Sequence, residues 1–447
     1  MSVRLNLNKE VLRLSLPSIL ANVTIPLVGI VDTAIVGHLS DSVAIGGIAI
    51  GTMLFDLLYW NFGFLRVGTA GMTAQSWGRE YKQHGCIRVG SETADILLQS
   101  VTLALIATAA IWLIQYFFVE AVLAIVPCSE GVASFAKKYF YIRIWAAPAT
   151  LLLFTFKGWF IGMQNSIAPM TCDLTVNIVN MLASYLLAVH TPTGLLGVAY
   201  GTVIAQYTGL AVALVFLIVR YRYLFSSAIL SRLRELLRWA RIKNLFILNG
   251  NLFIRSLCFM IIYVGFTGIA AVYGDDELAI SSIMMKLFML FSYFIDGFAY
   301  AGEALTGRFY GEKKQEEVNN AVRIIFLWSL AISVVFTLIF ALWGKELIGL
   351  MTNSEELLQM STRYMIWLII MPLLSAPAFV WDGIYVGATA GSEIRNCMIY
   401  AALGFIIAYV ALYGLWGMQA LYLAYFVHLL VRTVFMSVRW RKQRVPA

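Results

Sequence analysis

Apolar stretches long enough to cross a bilayer recur along the whole chain, and no other feature narrows its possible folds so far. A membrane-spanning helix needs about 20 apolar residues. Such blocks lie near 11–37, 46–76, 92–118, 134–162, 168–189 and 195–219. A second set lies near 243–272, 279–307, 319–343, 359–388, 394–414 and 417–437. Together they account for a chain of 447 residues that is 61% hydrophobic and 13% charged, with a mean hydropathy of +0.81. Soluble domains run near ~45–50% apolar and ~25% charged, so a soluble enzyme cannot hide this much apolar surface. Disorder is excluded by the wealth of aromatic and β-branched residues. The blocks at 46–76, 134–162, 279–307 and 359–388 are long, and imply tilt or extension beyond the bilayer. The expected fold class is an all-α membrane protein of about twelve transmembrane helices.

The basic residues set an orientation. Arg4, Lys9 and Arg13 precede the first span, and Arg79, Lys82 and Arg88 follow the second. Arg220, Arg222, Arg232, Arg234, Arg238, Arg241 and Lys243 fill the loop after the sixth. Arg439, Arg441, Lys442 and Arg444 close the chain. The alternate loops HLSDSVAI, HTPTGLLG and YGDDELAI carry no Lys or Arg; only Lys137, Lys138 and Lys345 run against the trend. The positive-inside rule then places both termini in the cytoplasm. The net charge of +8 is read as loops facing anionic lipid rather than nucleic acid. The bilayer is thus the expected surround, in a bacterial cytoplasmic membrane, with the protein acting as a monomer. The first apolar block is too long for a cleavable signal peptide. Five scattered cysteines, Cys86, Cys128, Cys172, Cys258 and Cys397, have neither metal-ligand nor disulfide spacing.

The loop after span six divides the chain. Ile229, Leu233, Leu236 and Leu237 alternate there with arginines, as in a helix lying on the membrane surface; a plain basic tether is the other reading. The halves resemble each other. TAGMTAQSWGREYKQ after span two aligns with GEALTGRFYGEKKQ after span eight, matching Gly78 with Gly311 and Thr73 with Thr306. Lys157-Gly158 to Gly162 in span four corresponds to Asp382-Gly383 to Gly387 in span ten. Six-span halves with both termini inside form a parallel repeat about an axis along the membrane normal. The expected domains are an N-lobe of 1–218, a linker of 219–243 and a C-lobe of 244–447.

Ionisable groups within spans cost ~2.5–3.5 kcal/mol on insertion scales and call for a partner, water or a task. Asp32, in IPLVGIVDTAIVG, is the sharpest case, with no basic neighbour one turn away. Desolvation penalises the charged form of a carboxylate, which suits a site that takes up and releases a proton. A static hydrogen bond to a neighbouring helix is the other reading. Asn177, Asn180 and Ser184 in TVNIVNMLASYLL are candidates to complete a polar pocket with Asp32, or to bond between helices. Pro26 and Gly29, with Pro17, permit a kink in the first span. Arg255, Asp296 and Asp382 form a candidate polar cluster in the second half, with Arg255 and Asp296 as a possible pair. Lys157 and Glu303 also fall near or within spans. For Arg66 and Arg143, snorkelling to an interface is the favoured reading. No P-loop, HExxH or GxSxG occurs, and the four histidines fall mostly at span ends, scattered through the chain. No enzyme activity, metal site or cofactor is therefore expected.

Against this background the sequence resembles the multidrug and toxic compound extrusion (MATE) transporters. NVTIPLVGIVDTAIVGHLS looks like their first helix and VGTAGMTAQSWGR like their second. GWFIGMQNSIAPM, DGFAYAGEALTGRFYG and WDGIYVGATAG fit as well, and the VDTAIVGHL and TAQ elements point to the DinF-like branch. The resemblance covers essentially the whole chain. It implies two six-helix lobes in a V, and export of cationic or amphipathic small molecules in exchange for protons or sodium. It puts Asp32 at the coupling carboxylate of the first helix. It aligns Asn180 with an Asn of the fifth helix and Ser184 with the Asp that often follows, so this chain lacks a second carboxylate there. That loss favours protons over sodium as the coupling ion. A lipid-linked precursor flippase, a major-facilitator-type transporter and a membrane-embedded enzyme are the rivals. A strongly cationic cavity, a short basic loop after span two and a convergent His or carboxylate cluster would respectively mark them.

Overall fold

Hydrocarbon offers a backbone no hydrogen-bond partners, so a lipid-exposed chain must satisfy its own. The computed structural model, which describes residues 2–29, 31, 42–87, 91–126, 128–225, 239–352 and 354–442, is helical with no strand among those residues. Twelve segments, from Asn6–Gly29 to Met418–Arg441, are long and apolar enough to span a membrane. The protein is a multi-pass integral membrane protein. Its first half contains α1 (Ser2–Val23), α2 (Ser42–Trp60), α3 (Phe64–His84), α4 (Glu92–Ile125), α5 (Glu130–Arg143), α6 (Ala147–Gly162), α7 (Ile167–His190) and α8 (Gly197–Tyr221). The second contains α9 (Trp239–Val272), α10 (Asp275–Gly311), α11 (Gln315–Gly349), α12 (Glu355–Gly387), α13 (Gly391–Trp416) and α14 (Met418–Lys442). The surface helix expected around Ile229–Leu237 lies outside the described residues.

The long spans are not only the four singled out from the sequence. α4 has 34 residues and α11 has 35. Their polar ends stay helical past the apolar part. Ser91 caps α4 by accepting from the Ala94 N–H, and Glu92 and Asp95 stand in its first turn, where the helix dipole favours negative charge. Ser129 and Ser354 cap α5 and α12 in the same way, through Val132 and Leu357. Spans two and four are each interrupted. A 3-10 turn at Asn61–Gly63 joins α2 to α3, and another at Ile144–Ala146 joins α5 to α6.

The internal repeat is present in three dimensions. The Gly158 backbone lies against the Arg66 carbonyl, so close that a Cβ would stand 2.2 Å from that oxygen. Gly383 meets the Ala299 carbonyl at the same 2.2 Å. The register that pairs Gly78 with Gly311 also pairs Arg66 with Ala299. One turn on, a Cβ on Gly162 would come within 2.8 Å of the Ala70 carbonyl, and one on Gly387 within 2.7 Å of the Glu303 carbonyl. The helix ends repeat as well. Gln164 and Thr389 both take left-handed conformations, with φ of 60° and 53°, which few residues other than glycine adopt. Around them Asn165 N–H donates to Phe160 O and Ala390 N–H to Tyr385 O. Small residues let helices approach closely where lipid supplies no hydrophobic drive between them.

The chain divides into two compact units, Leu20–Phe246 and a unit of Met1–Ile19 with Ile247–Ala447. The sequence halves begin at residues 1 and 244, whereas packing assigns the first nineteen residues to the later unit. The contacts explain this. A Cβ on Gly297 would lie 2.4 Å from Ile19 Cγ1 and 2.9 Å from the Ser15 carbonyl. Trp328 Nε1 donates to Asn8 Oδ1 at 3.0 Å, and Arg308 reaches Glu10 at 3.5 Å. In the Leu20–Phe246 unit, one core gathers Phe55, Leu65, Phe140 and Leu151, and another Phe156, Trp159, Phe160 and Cys172.

Gly158→Ala and Gly383→Ala should each lose about 1–3 kcal/mol through overpacking, because the obstacle is backbone that cannot rotate away. Gly250→Ala, with nothing within 4 Å of its Cβ, should cost far less. Thermal unfolding of the three detergent-solubilised variants checks the contrast.

Candidate functional site

The first span breaks where proline removes a donor. α1 ends at Val23, Thr24 forms a turn, and the chain is helical again through residues 25–29. Pro26 has no N–H for the carbonyl four residues earlier. The turn is held by Thr24 N–H to Ala21 O at 3.2 Å and by Thr24 Oγ1 donating to the same oxygen at 2.6 Å. Asn177 on α7 then donates to Thr24 Oγ1 at 2.6 Å. Pro17, by contrast, is carried inside a continuous helix. Asp32 lies outside the described residues; Gly29 is the last residue of the helical 25–29 segment.

The three polar residues of α7 divide between two neighbours. Asn177 serves α1. Asn180 Nδ2 donates to Thr202 Oγ1 on α8 at 3.0 Å, while its own Oδ1 is buried with no partner among the described residues. Ser184 is fully buried and donates to the Val198 carbonyl at 3.5 Å. Gly201 presses on it, so that a Cβ there would stand 2.6 Å from Ser184 Oγ. The Ser184 position is therefore closed by the backbone of α8.

One charge in this unit, Arg143, behaves differently from its sequence reading, and two carboxylates were missed. Arg143 does not snorkel. Its guanidinium lies over the Phe55 ring at 4.7 Å, and Nη1 donates to Tyr139 Oη at 3.4 Å. It stands within electrostatic reach of Asp56 and Tyr59. Lys157 is paired with Asp173 of α7 at 2.7 Å. Asp56 and Asp173 interrupt apolar runs in GTMLFDLLYW and PMTCDLTVN, and that interruption is the signal that marks them.

In the other unit Asp382 Oδ2 accepts from two guanidiniums, Arg432 Nη2 at 2.6 Å and Arg255 Nη2 at 3.1 Å. Arg432 is 0% exposed. It lies between the rings of Phe259 and Phe379, 4.7 and 5.4 Å from their centroids. Sequence reasoning named Arg255 and Asp382 but not Arg432, although an Arg inside the last apolar block was there to be read. Asp296, half-buried in α10, acts on Tyr293. His428 is not at a span end: it is buried in α14, its ring 4.5 Å from that of Tyr425. No group of three or more His, Cys, Asp or Glu among the described residues is placed to hold a metal ion.

A family model described as MatE matches residues 17–186 and 252–413. The chain is 33% identical to the DNA damage-inducible protein F of Escherichia coli, over 97% of this chain and 92% of that protein. It is 23% identical to the probable multidrug resistance protein NorM of Thermotoga maritima, over 79% of this chain and 74% of that one. Among solved structures it resembles the Vibrio cholerae MATE transporter VcmN in its bent form, with a TM-score of 0.86. That match has 15% identity and covers 99% of this chain and 98% of the other; it supports the fold, two six-helix halves without strands.

Removing one partner of a buried ion pair leaves an uncompensated charge, at a cost of about 3–5 kcal/mol. Arg432→Ala should incur a loss of this order. Arg439→Ala should not, since Arg439 is 48% exposed where it meets Glu393 at 3.4 Å. Unfolding temperatures of the two purified variants against wild type test the difference.

Proposed function

This chain belongs to the MatE family of multidrug and toxic compound transporters, and from that premise we propose that it is a proton-coupled antiporter. It exports cationic or amphipathic small molecules by alternating access. Both termini lie in the cytoplasm of a bacterial cell, as the distribution of Lys and Arg supports. Asp32 is the coupling carboxylate. Ionised, it favours a bound cation; protonated, it does not, and the first helix bends at Pro26–Gly29 as the charge is lost. Proton release on the cytoplasmic side resets the cycle. The proton shifts the equilibrium only by its differential affinity for the two conformations.

The observation that carries protons over sodium is the closed Ser184 position. A hard cation is held by several oxygen ligands, usually with carboxylate charge among them. Here the fifth-span position that would supply a second carboxylate is a serine, fully buried and pressed by Gly201. Asn180 gives its Nδ2 to Thr202 and keeps a single amide oxygen, Oδ1, which carries no charge. The break at Thr24, tied to Asn177, supports a bend at this end of the first span.

The test uses purified protein in liposomes loaded with a fluorescent lipophilic cation. A pH gradient should drive efflux by wild type, a sodium gradient should not, and Asp32→Asn should abolish the proton-driven flux. Sodium-driven efflux, or an Asp32→Asn variant that still pumps against a gradient, overturns the proposal.

A further inference from the structure

The 3-10 breaks of spans two and four fall at a similar depth in the Leu20–Phe246 unit. At ~1.5 Å per helical residue, Asp56 lies about 17 Å along its span from Ile45 and Arg143 about 20 Å from Glu130. Tyr207 lies about 20 Å from Gly194, again at ~1.5 Å per residue. Spans two, four and six run in the same direction, so these three residues stand at a similar distance from the same end of their spans, within the apolar stretches. The 3-10 turn at Ile144–Ala146 follows Arg143 directly, and the one at Asn61–Gly63 begins just over one helical turn after Asp56. Each frees backbone carbonyls that side chains then take up. Tyr207 Oη donates to Trp145 O at 3.0 Å, Trp112 Nε1 to Ile144 O at 3.4 Å, and Asn61 Nδ2 to Leu57 O at 2.8 Å.

Around these breaks the side chains form one cluster. Asp56 and Tyr59 lie within electrostatic reach of Arg143, and Tyr59 lies beside Thr150 and Tyr207. Arg143 is fixed from behind by Phe55 and Tyr139, with its Nε buried and without an acceptor among the described residues. Asp56 is exposed, across the helix from the packed Leu54 and Leu58. Trp60, one turn along, is 42% exposed and Tyr207 43%. A carboxylate within an apolar span is costly where it faces lipid. This face of the unit therefore meets water or a polar ligand. Discontinuous helices at the midplane are how transporters commonly build substrate sites.

We propose that Asp56 is the substrate-recognising carboxylate of this unit, receiving an organic cation against the exposed aromatic rings of Trp60 and Tyr207. In the empty state Arg143 balances its charge from the packed side and leaves the outer face open. An arriving ammonium or aromatic cation meets the carboxylate and the faces of the rings, which attract positive charge. The assignment rests on the cation-export reading above and separates two tasks: Asp56 recognises the cargo, Asp32 carries the proton.

Equilibrium binding needs no gradient and so isolates recognition from coupling. Ethidium and the uncharged probe N-phenylnaphthylamine are titrated into detergent-purified wild type, Asp56→Asn and Asp56→Glu, with Asp56→Ser as a second neutral variant should the Asn protein fail to fold. The expected result is a Kd for ethidium raised at least about tenfold in the neutral variants. Asp56→Glu should stay near wild type, and all variants should hold the uncharged probe alike. Equal loss of both probes, or ethidium binding unchanged in a folded neutral variant, overturns the assignment while wild-type transport leaves the export reading standing. If wild type neither binds nor exports ethidium, the cation-export reading falls, and this inference with it.

Discussion

Each unit is organised around one contact, in which a glycine brings a long helix to backbone distance from its neighbour. In water such contacts would be secondary to hydrophobic burial. In a bilayer lipid tails are as apolar as leucine, and close van der Waals packing must hold helices together. Gly158 against Arg66 and Gly383 against Ala299 fix the fourth and tenth spans to the second and eighth. The left-handed turns at Gln164 and Thr389 then set where the next helix starts. The remaining packing of each unit builds outward from that frame.

The same frame carries opposite charge in the two halves. Lys157 and Asp382 stand immediately before the equivalent glycines. Lys157 is answered by Asp173 from the next span, whereas Asp382 is answered by Arg255 and Arg432 from the seventh and twelfth. A duplicated architecture thus supports unlike electrostatics, because the glycine contact fixes position while the charge one residue away is free to vary. One half carries Asp56 on an exposed face of its second span. The other buries an excess of positive charge around a single carboxylate.

Much of the fold was legible in the sequence, since spans are written in composition and the repeat in Gly78, Gly158 and their counterparts. The lengths of α4 and α11 were less so, because helix ends with charges, such as the stretch around Glu120 in α4 and around Glu316 and Glu346 in α11, look like loop until the helix is seen to run on through them. Site reasoning fared unevenly for a physical reason. A residue type states that a charge is costly, but not which helix will neutralise it. Arg143 looked like a side chain reaching for the interface because nothing local shows Phe55 beneath it. Arg432 and Asp173 are partners contributed from helices 50 and 16 residues distant, which no short window reveals. Asp56 is a lone acid in a long apolar run, and its partner Arg143 lies on another span, so its own neighbourhood in the chain gives no hint of the cluster.

The grouping of residues 1–19 with the later unit bears on how such a chain is put together. Cutting the polypeptide in the loop after the sixth span would not yield two self-sufficient pieces. The later piece would lack the segment that Gly297, Arg308 and Trp328 pack upon, and the earlier piece would carry it as an unmatched strip. The chain is made of two similar halves, yet the later one is built with the first nineteen residues of the chain, so that it is not complete as an independent building block.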